Sequence, residues 1–224
     1  MSTTDELLAR IDHITELSDA GDHEAALRLA DEVIAADPTR AAAHTARAWA
    51  LENLGPEHLV RARQAYEEAI RLDPTELWAK EGLATVLRKL GRSQEADALC
   101  REVIAEAEPR AEDDAEMLEL LGWCQHRVGL HEEAVVTFRR SLSLDPDQPA
   151  VRFDLALALL HTGDGRAALA EYVACLALAD SGRRGSVDGL AAVALEDLET
   201  AIAERADLLA IPEASIARDL LRRT

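Results

Sequence analysis

Apolar residues recur every three or four positions along most of the chain, in blocks that close on an acidic residue and a proline. EAALRLADEVIAADP ends at Pro38, RARQAYEEAIRLDP at Pro74, EADALCREVIAEAEP at Pro109 and EAVVTFRRSLSLDP at Pro146. In each block the apolar set fills one stripe of a 3.6-residue helix. Proline cannot extend a helix from its interior, so each one marks a stop or the first turn of the next helix. A glycine precedes each block, at Gly21, Gly55, Gly91 and Gly129, and a fifth, Gly163, opens GDGRAALAEYVACLALAD. The prolines are 36, 35 and 37 residues apart. The unit is therefore helix, Gly turn, helix, acidic-Pro stop, and five copies fit, at about 5–38, 41–74, 77–109, 115–146 and 149–180. A period of about 35 residues predicts a helical repeat in which each hairpin buries its apolar face on its neighbour.

The residues that recur are specific. The fourth copy carries Leu118, Leu121-Gly122, Gly129, Ala134, Phe138, Ser141 and Pro146. The second supplies Ala48, Ala62, Tyr66, Ala69 and Pro74, the third Leu83-Ala84, Gly91, Ala96, Cys100 and Pro109, and the fifth Leu155-Ala156, Gly163, Ala168, Tyr172 and Cys175. This pattern resembles the tetratricopeptide repeat over residues 5–180. The resemblance implies an all-α superhelical solenoid of about five helix hairpins. The first copy departs from it, with Ile14 where a small residue is usual, followed by Gly21, Ala26, Ala30 and Pro38. Three insertions break the regularity: the longer turn GPEHLVRA, one extra residue before Pro109, and EPRAEDDAEM between the third and fourth copies.

Beyond the array, SGRRGS reads as a turn or joint. VDGLAAVALEDLETAIAERADLLAI reads as one long helix with Leu190, Val193, Leu198, Ile202 and Leu209 among its apolar contacts, and PEASIARDLLRR as a short final helix. A helical array exposes an apolar end face unless something covers it, so residues 187–222 are expected to cap the array. Docking into the array's own groove and dimerisation are the alternatives.

Composition narrows the partners. Aromatic residues make up only 3% of a chain that is 48% apolar, so the core must be mostly Ala and Leu. A formal charge of −19, from 24 basic and 43 acidic side chains, repels nucleic-acid backbones and anionic lipid. Three scattered cysteines, Cys100, Cys124 and Cys175, form no C-x-x-C pair and suit small buried positions in a reducing compartment. The N-terminal stretch MSTTDELLARID lacks the apolar segment of a secretory signal, and no run reaches membrane-spanning length without charge. A cytoplasmic location is the expectation.

No phosphate-binding glycine loop, H-E-x-x-H pair or nucleophile turn is present. The seven histidines are dispersed, and His126 and His131, five apart, do not share one helix face. The expectation is a protein without catalytic residues, metal or cofactor. A binding site would instead lie on the inner face of the repeats, formed by the second, fifth, ninth and twelfth positions of each first helix. That face reads Leu8, Ile11, Thr15, Ser18; Ala42, Thr45, Trp49, Glu52; Trp78, Glu81, Thr85, Arg88; Glu116, Glu119, Trp123, His126; and Ala150, Phe153, Leu157, Leu160. All three Trp and one of the two Phe fall on it. Trp supplies large, rigid contact area at interaction hot spots.

The candidate groove residues are Trp49, Glu52, Trp78, Glu81, Thr85, Arg88, Glu116, Glu119, Trp123 and His126. An apolar groove with an acidic rim suits a partner peptide or helix with apolar anchors and basic residues. A structural reading stands beside it: Trp78 can pack on its neighbour, and the C-terminal helix can cover Phe153, Leu157 and Leu160. Some tetratricopeptide proteins clamp a chaperone's terminal carboxylate with Lys, Asn and Arg on this face. Ile11, Thr15, Ala46, Trp78 and Gly82 occupy those positions here and supply no basic cluster. The functional reading is a non-catalytic adaptor, and the alternative is a scaffold that self-assembles through its terminal helices.

Overall fold

The computed structural model describes residues 3–179 and 187–223, and helix dominates them. The SGRRGS joint and the Leu190 side chain lie outside the described residues. Twelve α-helices are present among the described residues: α1 Thr3–Asp19, α2 His23–Ala36, α3 Ala41–Leu54, α4 Leu59–Leu72, α5 Leu77–Lys89, α6 Ser93–Ala107, α7 Ala115–Arg127, α8 His131–Leu144, α9 Pro149–His161, α10 Gly165–Ala179, α11 Val187–Glu204 and α12 Pro212–Leu221. The first ten form five helix pairs at the periods seen in the sequence. Two compact units divide the chain, Met1–Val103 and Ile104–Thr224, with the boundary inside α6.

The turns inside the pairs follow from local chemistry. At Gly129 the backbone takes φ +85°, a left-handed conformation that a side chain would strain. There the Gly129 N–H donates to the His126 carbonyl and the Leu130 N–H to the Gln125 carbonyl, which satisfies two carbonyls at the end of α7. The same pair of bonds closes α1, α5 and α9, after Gly21, Gly91 and Gly163. The second pair differs. Its longer turn winds Pro56–His58 into one 3₁₀ turn.

The acidic-Pro stops also have a mechanism. Asp37 accepts from both the backbone N–H and the hydroxyl of Thr39, and Asp73 accepts likewise from Thr75. These bonds favour the charged carboxylate and hold both Asp groups below the usual range. Where the acid is Glu108, α6 runs to Ala107 and passes into a 3₁₀ turn, Glu108–Arg110. Asp114 then caps α7 by accepting from the Glu116 and Met117 N–H groups.

Within the Met1–Val103 unit, α1 to α5 pack as successive neighbours, with α3 also touching α1 and α5. Ile14 is fully buried and shares a cluster with Ala26, Ala30 and Val33. Elsewhere the exchange runs the other way. Phe138 is fully buried, and a Cβ added at Gly122 would lie 2.7 Å from its ring. The first repeat thus places its bulk on the first helix and Ala on the second, whereas the fourth places Gly on the first and Phe on the second. Either arrangement fills the same gap at interior packing density.

Within the Ile104–Thr224 unit, α7 to α10 pack in order and the C-terminal helices close on α9 and α10. Ala191, Ala194, Leu198 and Ala201 of α11 share a core with Phe153, Leu157 and Leu160 of α9. The single long helix expected for residues 187–211 is broken. Helix α11 ends at Glu204, Arg205 takes φ −132° and ψ +83°, and Ala206–Ala210 forms a 3₁₀ turn before α12. The break lets Leu208, Ala214, Ala217 and Leu221 reach the same core. Of the apolar contacts expected along that helix, Leu198 sits inside, Ile202 packs at the edge, and Val193 and Leu209 are exposed, while Leu208, which was not expected, is buried in place of Leu209.

Candidate functional site

In the Met1–Val103 unit, α3 and α5 carry the candidate residues Trp49, Glu52, Trp78, Glu81, Thr85 and Arg88. Trp78, the second residue of α5, is 38% exposed, while Trp49 is half-buried. The polar members are tied into the unit. Glu52 accepts from Lys89 Nζ at 2.9 Å and from the Tyr66 hydroxyl at 3.3 Å, and its side chain is only 8% exposed. The Thr85 hydroxyl donates to Glu81 at 2.8 Å, and Arg88 donates to Asp97 of α6 at 2.6 Å. Tyr66 is buried against Gly82, where an added Cβ would meet its ring. Burial, together with Glu52 and Glu81, raises its phenol far above the ordinary value.

Lys89 and Tyr66 were absent from the sequence-derived set. Lys89 stands one residue past Arg88, at the end of α5, and turns toward α3. The cation that offsets Glu52 is therefore Lys89, and Arg88 is engaged by Asp97.

In the Ile104–Thr224 unit, α7 carries Glu116, Glu119, Trp123 and His126. Glu116 is exposed and Glu119 half-buried. Trp123 packs at the edge of the core, its ring stacked with that of His126 (centroids 6.0 Å apart, planes at 16°). The Arg127 guanidinium lies over the Trp123 ring, 4.0 Å from its centroid, and reaches Asp197 of α11 at 3.7 Å. His126 is buried. The inner-face residues Phe153, Leu157 and Leu160 are buried as well, beneath α11.

One cluster was not anticipated. His126, His131 and His161 meet at one end of this unit, with ring centroids 4.3 to 5.1 Å apart. His126 and His131 do not share a helix face; the Gly129 turn folds the start of α8 back onto the end of α7. His161 closes α9, one position beyond the repeat equivalent of His126. The repeat alignment contained that signal. The His131 and His161 rings stack 4.3 Å apart at 27°. Among the described residues, no group of three or more His, Cys, Asp or Glu is placed to hold a metal ion.

All three cysteines are buried. The Cys175 thiol donates to the Pro149 carbonyl at 3.2 Å, and burial pushes its pKa up to about 12. It stays protonated and unreactive at neutral pH. No helix among the described residues is long and apolar enough to cross a membrane.

Comparison with known families resolves the architecture. Two tetratricopeptide-repeat models match consecutive stretches, residues 11–77 and 75–147. The chain belongs to the tetratricopeptide-repeat family. Among solved structures it is similar to TTC0263, a thermophilic tetratricopeptide protein of Thermus thermophilus, with TM-score 0.63 and 19% identity over 86% of this chain and 98% of that one. It is also similar to human IFIT1, solved as a dimer with PPP-AAAA, with TM-score 0.62 and 16% identity over 90% of this chain and 46% of that one. At these identities the likeness shows the fold alone. No curated protein matches the sequence. The tetratricopeptide fold supports a protein–protein interaction module as the general role.

Proposed function

We propose that this tetratricopeptide protein is a non-catalytic adaptor that binds a peptide or helix of a partner protein on the inner face of its repeats. The observation that carries this reading is Trp78. A chain whose core is mostly Ala and Leu leaves this large ring 38% exposed on α5, the helix that adjoins the α3 carrying Trp49. Such a ring offers an apolar anchor at little entropic cost. The overall charge of −19, with Glu81 on the same helix as Trp78, favours a partner with basic residues around its apolar anchors.

A second reading, self-assembly through the terminal helices, draws on one feature of α11. Its outer side carries a shallow open recess of about 450 Å³ lined by Ala192, Leu195, Glu196, Glu199, Thr200 and Ala203.

The test is affinity capture from the native lysate with the intact protein beside a Trp49→Ala, Trp78→Ala variant shown by circular dichroism to remain helical. A protein held by the intact form and lost from the variant supports the adaptor and names its process. Equal retention moves the interface off this face. Recovery of nothing but the protein itself favours the scaffold.

A further inference from the structure

The three-histidine cluster lies where the C-terminal segment meets α9. Arg205, at the break after α11, donates from Nη1 to the His161 carbonyl at 3.3 Å and lies 3.5 Å from His161 Nδ1. The same guanidinium holds Asp207 through Nη2 at 2.7 Å and Nε at 3.3 Å. Past this point the chain drops Leu208, Ala214, Ala217 and Leu221 into the core and lays Ile211 and Glu213 over Gly165, the first residue of α10. Arg205 is thus a polar attachment at the head of a segment that enters the core through Leu208, Ala214, Ala217 and Leu221.

We propose that His126, His131, His161 and Arg205 form a protonation-sensitive latch, at which acid loosens residues 205–221 from α9 and α10. His126 Nδ1 and His131 Nδ1 are 3.2 Å apart, so one must donate and the other accept; the two rings cannot both be cationic in this arrangement. A proton on His161 adds a positive charge beside Arg205 and removes the lone pair that faces it. Two acids also act on the rings, Asp207 pulling His161 upward and Glu132 doing the same to His131, each more weakly than burial pulls down. Asp207 is held by Arg205, Arg127 by the Trp123 face and Asp197, and Glu132 is exposed in the first turn of α8.

Burial, reinforced by His131 and Arg205, lowers His161 to about 4. Burial and Arg205 lower His131 as well, against a weaker upward pull from Glu132. Release removes Arg205 and part of the burial, so both rings move up toward the ordinary value of 6.5. The released form then binds more protons between pH 6.5 and 4, so release is favoured as pH falls through that window. From His161 alone, the opening equilibrium rises by up to about tenfold per pH unit there. Asp207 is held below its ordinary value by Arg205, so its own titration lies beneath the window.

The experiment is amide hydrogen exchange on the full chain from pH 7 to pH 5, corrected for intrinsic rates, with an NMR titration of the histidine ring protons. The expected result is a loss of protection in residues 208–221 of about tenfold or more, while α7 and α8 hold theirs, and a His161 midpoint well below 6. A His161→Gln, His131→Gln variant keeps polar groups that do not titrate and should lose most of that dependence. Protection that stays constant to pH 5 in the native chain overturns the latch. So does an ordinary His161 midpoint near 6.5, a result that needs no variant to fold. An equal loss in the double variant also overturns it, by assigning the effect to other groups.

Discussion

The same face of the repeat's first helix has opposite fates in the two units. On α5, in the Met1–Val103 unit, the inner-face residue Trp78 is left open to solvent. On α9, in the Ile104–Thr224 unit, Phe153, Leu157 and Leu160 lie beneath α11 and are at most 7% exposed. On α7, Trp123 is held between the His126 ring and the Arg127 guanidinium, which itself reaches α11. An aromatic residue at an inner-face position therefore does not identify a binding site. Covered by a helix of its own unit it becomes core, and left uncovered it becomes available to a partner. The proposed interaction surface centres on Trp78 for that reason.

The largest effect should come from the fourth repeat's buried ring. Phe138→Ala empties a fully buried site and is expected to cost about 3–5 kcal/mol in urea unfolding. The first repeat suggests its own repair. There Ile14 and Ala30, which share a buried cluster, occupy the repeat positions of Gly122 and Phe138 with the large and small residues exchanged. A Gly122→Ile, Phe138→Ala double variant should therefore recover part of the loss, about 1 kcal/mol or more. A double variant less stable than Phe138→Ala alone would show that the two repeats do not trade volume.

A smaller effect separates the tryptophans. Trp123→Ala removes a ring packed at the core edge and the platform for Arg127, and should cost about 2–3 kcal/mol. Trp78→Ala should cost under about 1 kcal/mol, because its ring is substantially exposed already. Comparable losses at both sites would make Trp78 a packing residue and remove the anchor on which the adaptor reading rests.

The fold was legible because each repeat writes its signals locally. A glycine at the turn, an Asp before proline and a small residue facing a large one all act within a few residues or one period. Even the Ile14 departure was visible, although its compensation by Ala30 needed the alignment to be read for volume rather than for identity. The inner-face positions could be listed by angle. Which of them stay open could not, because that depends on where a helix about 40 residues further along returns to pack. The expected continuous helix over 187–211 failed for a related reason. Its apolar positions favour helix throughout, and the break at Arg205 is favoured by contacts with His161 and Asp207 that no local pattern announces. The histidine cluster was hidden in the same way, by a turn and a repeat stacking three distant positions at one end.

The smallest effect contrasts the two units in their response to acid. Glu76 caps the start of α5, two residues before Trp78, and burial with nearby Asp73 raises its carboxyl above the usual value, against a weaker pull from the Trp78 N–H. Raised in the folded state, it favours folding most at acid pH; that contribution fades as pH rises from 4.5 through the folded value, leaving a fixed penalty at pH 7. The histidines of the other unit run in the opposite direction, losing stability as pH falls from 6.5 toward 4. His23, at the start of α2, is also lowered by burial and moves with them, so the Glu76 contribution must be read as a difference between two proteins. Glu76→Gln should raise the melting temperature at pH 7 by no more than about 2 °C and lose that advantage by pH 4.5. A variant that melts lower at pH 7 would mean that the charged carboxylate stabilises the start of α5 more than its burial costs.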